Sequence, residues 1–114
     1  MPSDPNVYLQ DILESIDLIE VYTRNLTRSG FLASQEKQDA VIRRLEIIGE
    51  ATRHLPAAIT TAHPEVHWSR IIAMRNRLIH AYGRVDLELT WAVVERDLPK
   101  LKRQVRTLLE QYDK

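Results

Sequence analysis

Residues 87–112 read LELTWAVVERDLPKLKRQVRTLLEQY. Apolar side chains recur in this stretch at alternating steps of four and three residues, which places them on one face of a helix. They are Leu87, Trp91, Val94, Leu98, Leu101, Val105, Leu108 and Tyr112. Because the spacing holds over the whole stretch, it predicts a long helix that begins near Asp86 and packs along its length.

Pro99 interrupts this helix chemically without breaking its spacing. Proline has no backbone N–H, and its ring clashes with the carbonyl four residues earlier, here that of Glu95. We therefore expect either a kink at this point or a split, with a new helix capped by Asp97.

The first segment of the chain also shows helical spacing. Its apolar face consists of Tyr8, Ile12, Ile16, Ile19, Tyr22 and Leu26. The spacing predicts a helix over about residues 6–28, with Asp4 or Asn6 as its cap. Ser29 and Gly30 follow it and are expected to stop it.

Two more helices are predicted in the middle of the chain. One begins at Ser34 and ends before Pro56, and the other covers about residues 67–80, with Gly83 as its terminator. Residues 56–64 are interpreted as chiefly a connection, with room for a short helical turn.

Four helices joined by short connections predict an all-α fold, an antiparallel up-and-down four-helix bundle with a Pro-kinked or split last helix. No strand-like alternation, internal repeat or low-complexity tract competes with this interpretation. The length of 114 residues suits one domain, which we assign to residues 1–114.

The composition favours an ordinary globular protein, with 44% hydrophobic and 28% charged residues. Lys plus Arg equals Asp plus Glu, at 16 each, so the net charge gives no argument for nucleic-acid or membrane binding. The absence of cysteine excludes disulfides and thiolate chemistry. Because the N-terminus resembles no signal peptide and no long apolar run follows it, we expect a cytoplasmic protein.

One local excess of positive charge stands out against this balance. Arg70, Arg75, Arg77 and Arg84 occur without an acidic residue before Asp86. They surround residues 75–82, which read RNRLIHAY. Any polyanion site in the chain is therefore expected in this region.

Residues 75–82 carry side chains that suit chemistry on a phosphodiester. Arg75 offers a charged fork for phosphate oxygens, and His80 offers an imidazole that exchanges protons near neutral pH. Asn76, one helical turn before His80, can orient either group, and Tyr82 can stack on a base or donate its hydroxyl. From these residue types alone, a catalytic site and a solvated helix face remain equally open.

The pattern R-x4-H-x-Y, formed by Arg75, His80 and Tyr82 with Asn76 directly after the arginine, resembles the HEPN superfamily. It is most similar to the HepT-like toxins of toxin–antitoxin systems. The segment IIGEA at residues 47–51, the segment DLP at residues 97–99 and the overall length resemble the same family.

This resemblance implies a metal-independent endoribonuclease that acts on RNA as a homodimer, with the two motif copies in one composite cleft. It implies that Arg75 and His80 are catalytic, that Asn76 assists and that Tyr82 completes the site. The implied partner is a nucleotidyltransferase antitoxin that neutralises the toxin by AMPylation, for which Tyr82 is the matching acceptor. No metal, cofactor or membrane is implied.

Gly49 and Glu50 need a separate interpretation. A glycine inside a helix costs about 1 kcal/mol relative to alanine, which suggests close approach by another helix. Glu50 beside it has two equal possibilities: it pairs with Arg75 as possible support for the site, or it faces water.

Other polar features are assigned to the structure rather than to chemistry. His63 and His67 are separated by Pro64, which prevents the regular helical presentation that a metal site of this spacing needs. Lysine and arginine also recur in the last helix, at Lys100, Lys102, Arg103 and Arg106. We interpret this run as a solvated helix face in preference to an RNA-binding surface. Trp68 and Trp91 are expected in the core or in a dimer interface.

Two further functions compete with the toxin. The alternative is a non-catalytic nucleotide- or partner-binding subunit of a nucleotidyltransferase complex, which would use the same polar surface. The third is a purely structural helical adaptor. A neighbouring gene for a small nucleotidyltransferase is expected for the toxin and for the binding subunit, whereas growth arrest on expression is expected only for the toxin.

Overall fold

The computed structural model describes residues 4–79 and 86–112. Its helices are α1 (Pro5–Thr23), α2 (Arg28–Leu32), α3 (Gln35–Arg53), α4 (Ala57–Ala62), α5 (Trp68–Ile79), α6 (Leu87–Ala92) and α7 (Leu98–Tyr112), with a π-helical segment at Val93–Asp97 between the last two. Within the described residues there is no β-strand, so the all-α prediction is confirmed.

The prediction for the end of the first helix is wrong. α1 ends at Thr23 rather than near residue 28, and Asn25 adopts a left-handed backbone with φ of 61°. The Thr27 hydroxyl then accepts a hydrogen bond from the Gly30 N–H and begins α2, so the expected stop lies inside a new helix. A local cap and an asparagine that tolerates positive φ therefore outweigh the continuing apolar spacing.

Two of the other helices begin where the sequence predicts. The Ser34 side chain accepts from the Lys37 N–H at the start of α3, and the Asp86 side chain accepts from the Leu89 N–H at the start of α6. The helical turn expected in residues 56–64 is α4.

The last helix runs through Pro99 by a change of helical type. The Leu98 N–H donates to the Val93 carbonyl, five residues earlier, in the π-helical segment that directly precedes the proline. Pro99 has no N–H to offer to Glu95, which is where an α-helical bond would be lost. Asp97 is itself helical, so the alternative of a new helix capped by this residue is wrong.

α3 lies at the centre of the packing. It contacts both α1 and α5, α1 also contacts α7, and α2 contacts α3 and α6. The stripe at residues 87–112 faces the core, because five of its eight side chains are buried, namely Trp91, Leu98, Leu101, Val105 and Leu108. Trp68 is also buried, and Trp91 stacks on Phe31.

None of the helices in the described ranges has the length and apolar character that crossing a bilayer requires. A cytoplasmic location stays a prediction.

Candidate active site

Two of the four motif residues lie on α5. Arg75 is half-buried and Asn76 is exposed in the last part of this helix, which packs on the core through Ile71, Met74 and Leu78. His80 and Tyr82 lie outside the described residues, and their roles stay predictions.

Gly49 allows the stem of Arg75 to lie directly against α3. A Cβ atom at Gly49 would be 2.0 Å from the Arg75 Cβ and 2.5 Å from its Cγ, far inside van der Waals contact. The expected close approach by another helix is therefore confirmed, and the residue that approaches is the motif arginine.

Glu50 pairs with Arg75, which decides between the two possibilities for this carboxylate. The Arg75 Nη2 lies 2.6 Å from the Glu50 Oε2, with the two side chains 22% and 39% exposed. On its other side, the Arg75 Nη1 donates to the Asn76 Oδ1 at 3.0 Å. The guanidinium is thus fixed between a carboxylate on α3 and the amide of its own neighbour.

The carboxylate of Glu50 also contacts the end of α3. Arg53 donates to its Oε1 at 2.8 Å, and the His54 Nδ1 lies 3.5 Å from the same oxygen. The hydrogen bond from Arg53, together with the charges of Arg53, Arg75 and His54, lowers the pKa of Glu50 and outweighs its desolvation. Glu50 is therefore ionised at neutral pH and holds the guanidinium by charge.

A groove with charged and apolar side chains lies along α3 next to this ion pair. Its volume is about 320 Å³, and its lining includes Tyr8 and Asp11 from α1, Glu50 and His54 from the α3 side, and Arg75 from α5. We call it the α3 groove. Sequence reasoning missed Tyr8 and His54, because the three helices that form the groove are far apart in the chain.

A second, larger groove separates α5 from α6 and α7. Its volume is about 460 Å³, and its lining includes the apolar side chains Ile71, Met74, Val93 and Leu98. Leu89, at its edge, is 40% exposed. This face of the chain therefore leaves apolar surface uncovered beside the motif helix.

The remaining charged candidates have structural partners or face solvent. The His63 Nε2 hydrogen-bonds with the Tyr112 hydroxyl at 2.8 Å. Across the described ranges, no three His, Asp or Glu side chains form a group that could hold a metal ion. Lys102 turns to α1, where hydrogen bonds to Glu20 and Asp17 raise its pKa.

Comparison with known proteins shows which family the chain belongs to. A model of the family described as "Ribonuclease HepT-like" matches residues 12–108. A relative in Methanocaldococcus jannaschii, named a "Gamma-glutamylcyclotransferase and putative RNase", is 47% identical over 114 residues, which are 100% of this chain and 51% of that protein. The chain thus spans about half the length of this relative.

Two other relatives are matched over most of their length. A "Probable ribonuclease HepT" of Thermococcus cleftensis is 46% identical over 101 residues, 89% of this chain and 92% of that protein. A second Methanocaldococcus jannaschii protein, named a "Putative RNase", is 38% identical over 102 residues, 90% of this chain and 94% of that protein. No solved structure matches. Because the family model covers residues 12–108 and these relatives align with most of the chain, the chain belongs to the HepT-like ribonuclease family.

Proposed function

We propose that this chain is the toxin component of a toxin–antitoxin system and a metal-independent endoribonuclease. The observation that carries the proposal is the fixed guanidinium of Arg75, which is held between Glu50 on α3 and Asn76 on α5. In the sequence, α5 is followed directly by His80 and Tyr82. Relatives named as ribonucleases support RNA as the substrate.

The proposed reaction uses the 2′-hydroxyl of the RNA as the nucleophile. An imidazole, His80, takes the proton of this hydroxyl while the oxygen attacks the neighbouring phosphorus. The bond from phosphorus to the 5′-oxygen breaks, and that oxygen receives a proton from a second acid. Arg75 stabilises the charge on the phosphate oxygens, and Asn76 assists by orienting Arg75 or the substrate. The products are a 2′,3′-cyclic phosphate and a 5′-hydroxyl.

Glu50 supports this site as a positioning residue in the proposal. It fixes the direction of Arg75 without touching the reacting atoms, because its carboxylate contacts the guanidinium from α3. Because the ion pair with Glu50 is present before the substrate binds, Arg75 is already oriented when a phosphate arrives. The phosphate then competes with Glu50 for the guanidinium.

A homodimer completes the proposed site. One chain offers one motif histidine, whereas the reaction uses an acid and a base, and two-fold symmetry supplies both. The uncovered apolar groove between α5 and α7 supports an interface beside the motif, formed by a second copy. We also propose that the helices form an up-and-down four-helix bundle with a bend near Pro99, which the α1–α3, α3–α5 and α1–α7 contacts support.

The proposed partner is a nucleotidyltransferase antitoxin that transfers AMP to Tyr82. A tyrosine hydroxyl within an arginine-rich segment is a suitable acceptor, since cationic side chains attract the phosphates of the donor nucleotide. The alternative function, a non-catalytic nucleotide- or partner-binding subunit, would use the same surface and is favoured by the aromatic and charged lining of the α3 groove.

The function is tested by following cleavage of a defined RNA by the purified protein in EDTA over a dilution series. We expect cleavage to persist in EDTA, because the 2′-hydroxyl replaces metal-activated water as the nucleophile. The rate per chain should fall as dilution separates the dimer, whose fraction is measured by sedimentation. Loss of cleavage in EDTA, or full activity in a proven monomer, would contradict the proposal.

A further inference from the structure

The α3 groove joins an aromatic pair to the motif arginine. The rings of Tyr8 and His54 stack with their centroids 5.5 Å apart and their planes 21° from parallel. Arg75 lines the same groove. Neither ring belongs to the motif, and neither has a place in the cleavage step described above.

The ring of His54 is both accessible and held in a fixed orientation. Its side chain is 45% exposed. The Nδ1 donates to the carbonyl of Glu50 at 2.9 Å, which fixes the plane of the imidazole at the C-terminal end of α3. A flat, exposed and oriented ring is a stacking platform for a nucleobase, since every base has a π-face.

Glu50 sets the distance between this platform and Arg75. Its Oε1 contacts the His54 Nδ1 at 3.5 Å, and its Oε2 contacts the Arg75 Nη2 at 2.6 Å. The imidazole and the guanidinium thus contact the two oxygens of one carboxylate group. A base and its own phosphate are joined by a single sugar, so one nucleotide is the smallest unit of RNA that offers a partner to each.

The charges of the groove limit what binds beside that nucleotide. Asp11, Arg43 and Glu46 also line it, and the charge of Arg43 is matched by Glu46 at 3.6 Å. Carboxylates repel a run of phosphates but accept hydrogen bonds from the N–H groups of a base. The groove therefore suits one nucleotide rather than a long stretch of RNA backbone.

We propose that the α3 groove is a nucleotide-binding subsite, in which one base of the RNA stacks on the Tyr8–His54 pair and its phosphate reaches Arg75. This inference rests on the proposed function, because it assigns the subsite to the RNA substrate. It adds Tyr8 and His54 as binding residues that hold the substrate and do not transfer protons.

The test measures binding of adenosine 3′-monophosphate by calorimetry to the wild-type chain and to Tyr8→Leu and His54→Gln. Leucine keeps the apolar contact of Tyr8 with the core, and glutamine keeps a donor for the Glu50 carbonyl, while both remove a ring. We expect each variant to bind the nucleotide about tenfold more weakly, the scale of losing one base–aromatic stack. In RNA cleavage, KM should rise by a similar factor while kcat changes less than about twofold.

Matched controls are Tyr22→Leu on the same helix and His67→Gln, because neither residue lines the groove. The controls should bind the nucleotide as the wild-type chain does. The subsite is overturned if the wild-type chain binds no nucleotide, or if Tyr8→Leu and His54→Gln bind it unchanged. Nucleotide binding that depends on Tyr8 and His54, in a protein that cleaves no RNA, would support the subsite and contradict the ribonuclease.

Discussion

Replacing His80 with alanine is expected to lower RNA cleavage by about 10²–10⁴-fold, the usual contribution of a general acid–base group. An imidazole is the one side-chain type whose ordinary pKa allows it to accept and donate protons near neutral pH. Arg75 stays charged and cannot take this role, and Asn76 does not titrate. The measurement is the single-turnover rate on a defined RNA, which excludes product release.

The control for this variant is Gln10→Ala, which shortens an exposed polar side chain on α1 that lines neither groove. Its cleavage rate should stay within about twofold of the wild-type rate, because surface substitutions away from a site have small effects. The two variants should also unfold at the same temperature as the wild-type chain. A His80→Ala protein that is folded and cleaves at the normal rate would exclude His80 as the catalyst.

The second large effect is expected for Gly49→Ala. The new Cβ would lie 2.0 Å from the Arg75 Cβ, and neither atom can rotate away because both are attached to helix backbone. Overpacking of this kind costs up to about 3 kcal/mol, whereas alanine gains about 1 kcal/mol of helix propensity over glycine. The cost of the clash exceeds the gain in helix propensity, so α3 must move away from α5.

Thermal unfolding and RNA cleavage measure the two consequences of this separation. We expect the unfolding midpoint to fall by roughly 5–10 °C, consistent with a net loss of about 1–2 kcal/mol in a domain of this size. Cleavage should fall as well at temperatures where the variant is folded, since Arg75 is displaced from Glu50.

Gly30→Ala provides the matched control for the glycine substitution. Its added Cβ would lie 3.0 Å from the Leu26 Cδ1, the far end of a flexible side chain, so the neighbour can move aside. This variant should keep its unfolding midpoint within about 2 °C. An unchanged midpoint in Gly49→Ala as well would show that the contact between α3 and Arg75 is not tight.

Features decided by neighbouring residues could be predicted from the sequence. Ser34 and Asp86 cap helices because their side chains reach an N–H three residues ahead, which needs no information about the rest of the fold. The close approach of another helix at Gly49 could be predicted for a similar reason. Glycine is unfavourable inside a helix, so its presence there suggests that a larger side chain would collide with a neighbour. The early end of α1 was missed because two local signals, Asn25 and Thr27, competed with an apolar spacing that continued past them.

Features decided by how helices pack could not be predicted in the same way. Whether Glu50 meets Arg75 depends on the rotation of α3 against α5, and the stacking of Tyr8 on His54 depends on the register of α1 against α3. Hydrophobic spacing defines which face of a helix is buried but not which residues of two helices stand opposite each other. The α3 groove is built entirely from such contacts.

The most direct test of the account is the chemistry of the RNA ends produced by the purified protein. Attack by the 2′-hydroxyl, with Arg75 and His80 as the catalytic pair, predicts a 2′,3′-cyclic phosphate or 3′-phosphate on one fragment and a 5′-hydroxyl on the other. Mass spectrometry of the fragments from a short defined RNA distinguishes these ends. Fragments that carry a 5′-phosphate would contradict the mechanism, because they require attack by water rather than by the RNA itself.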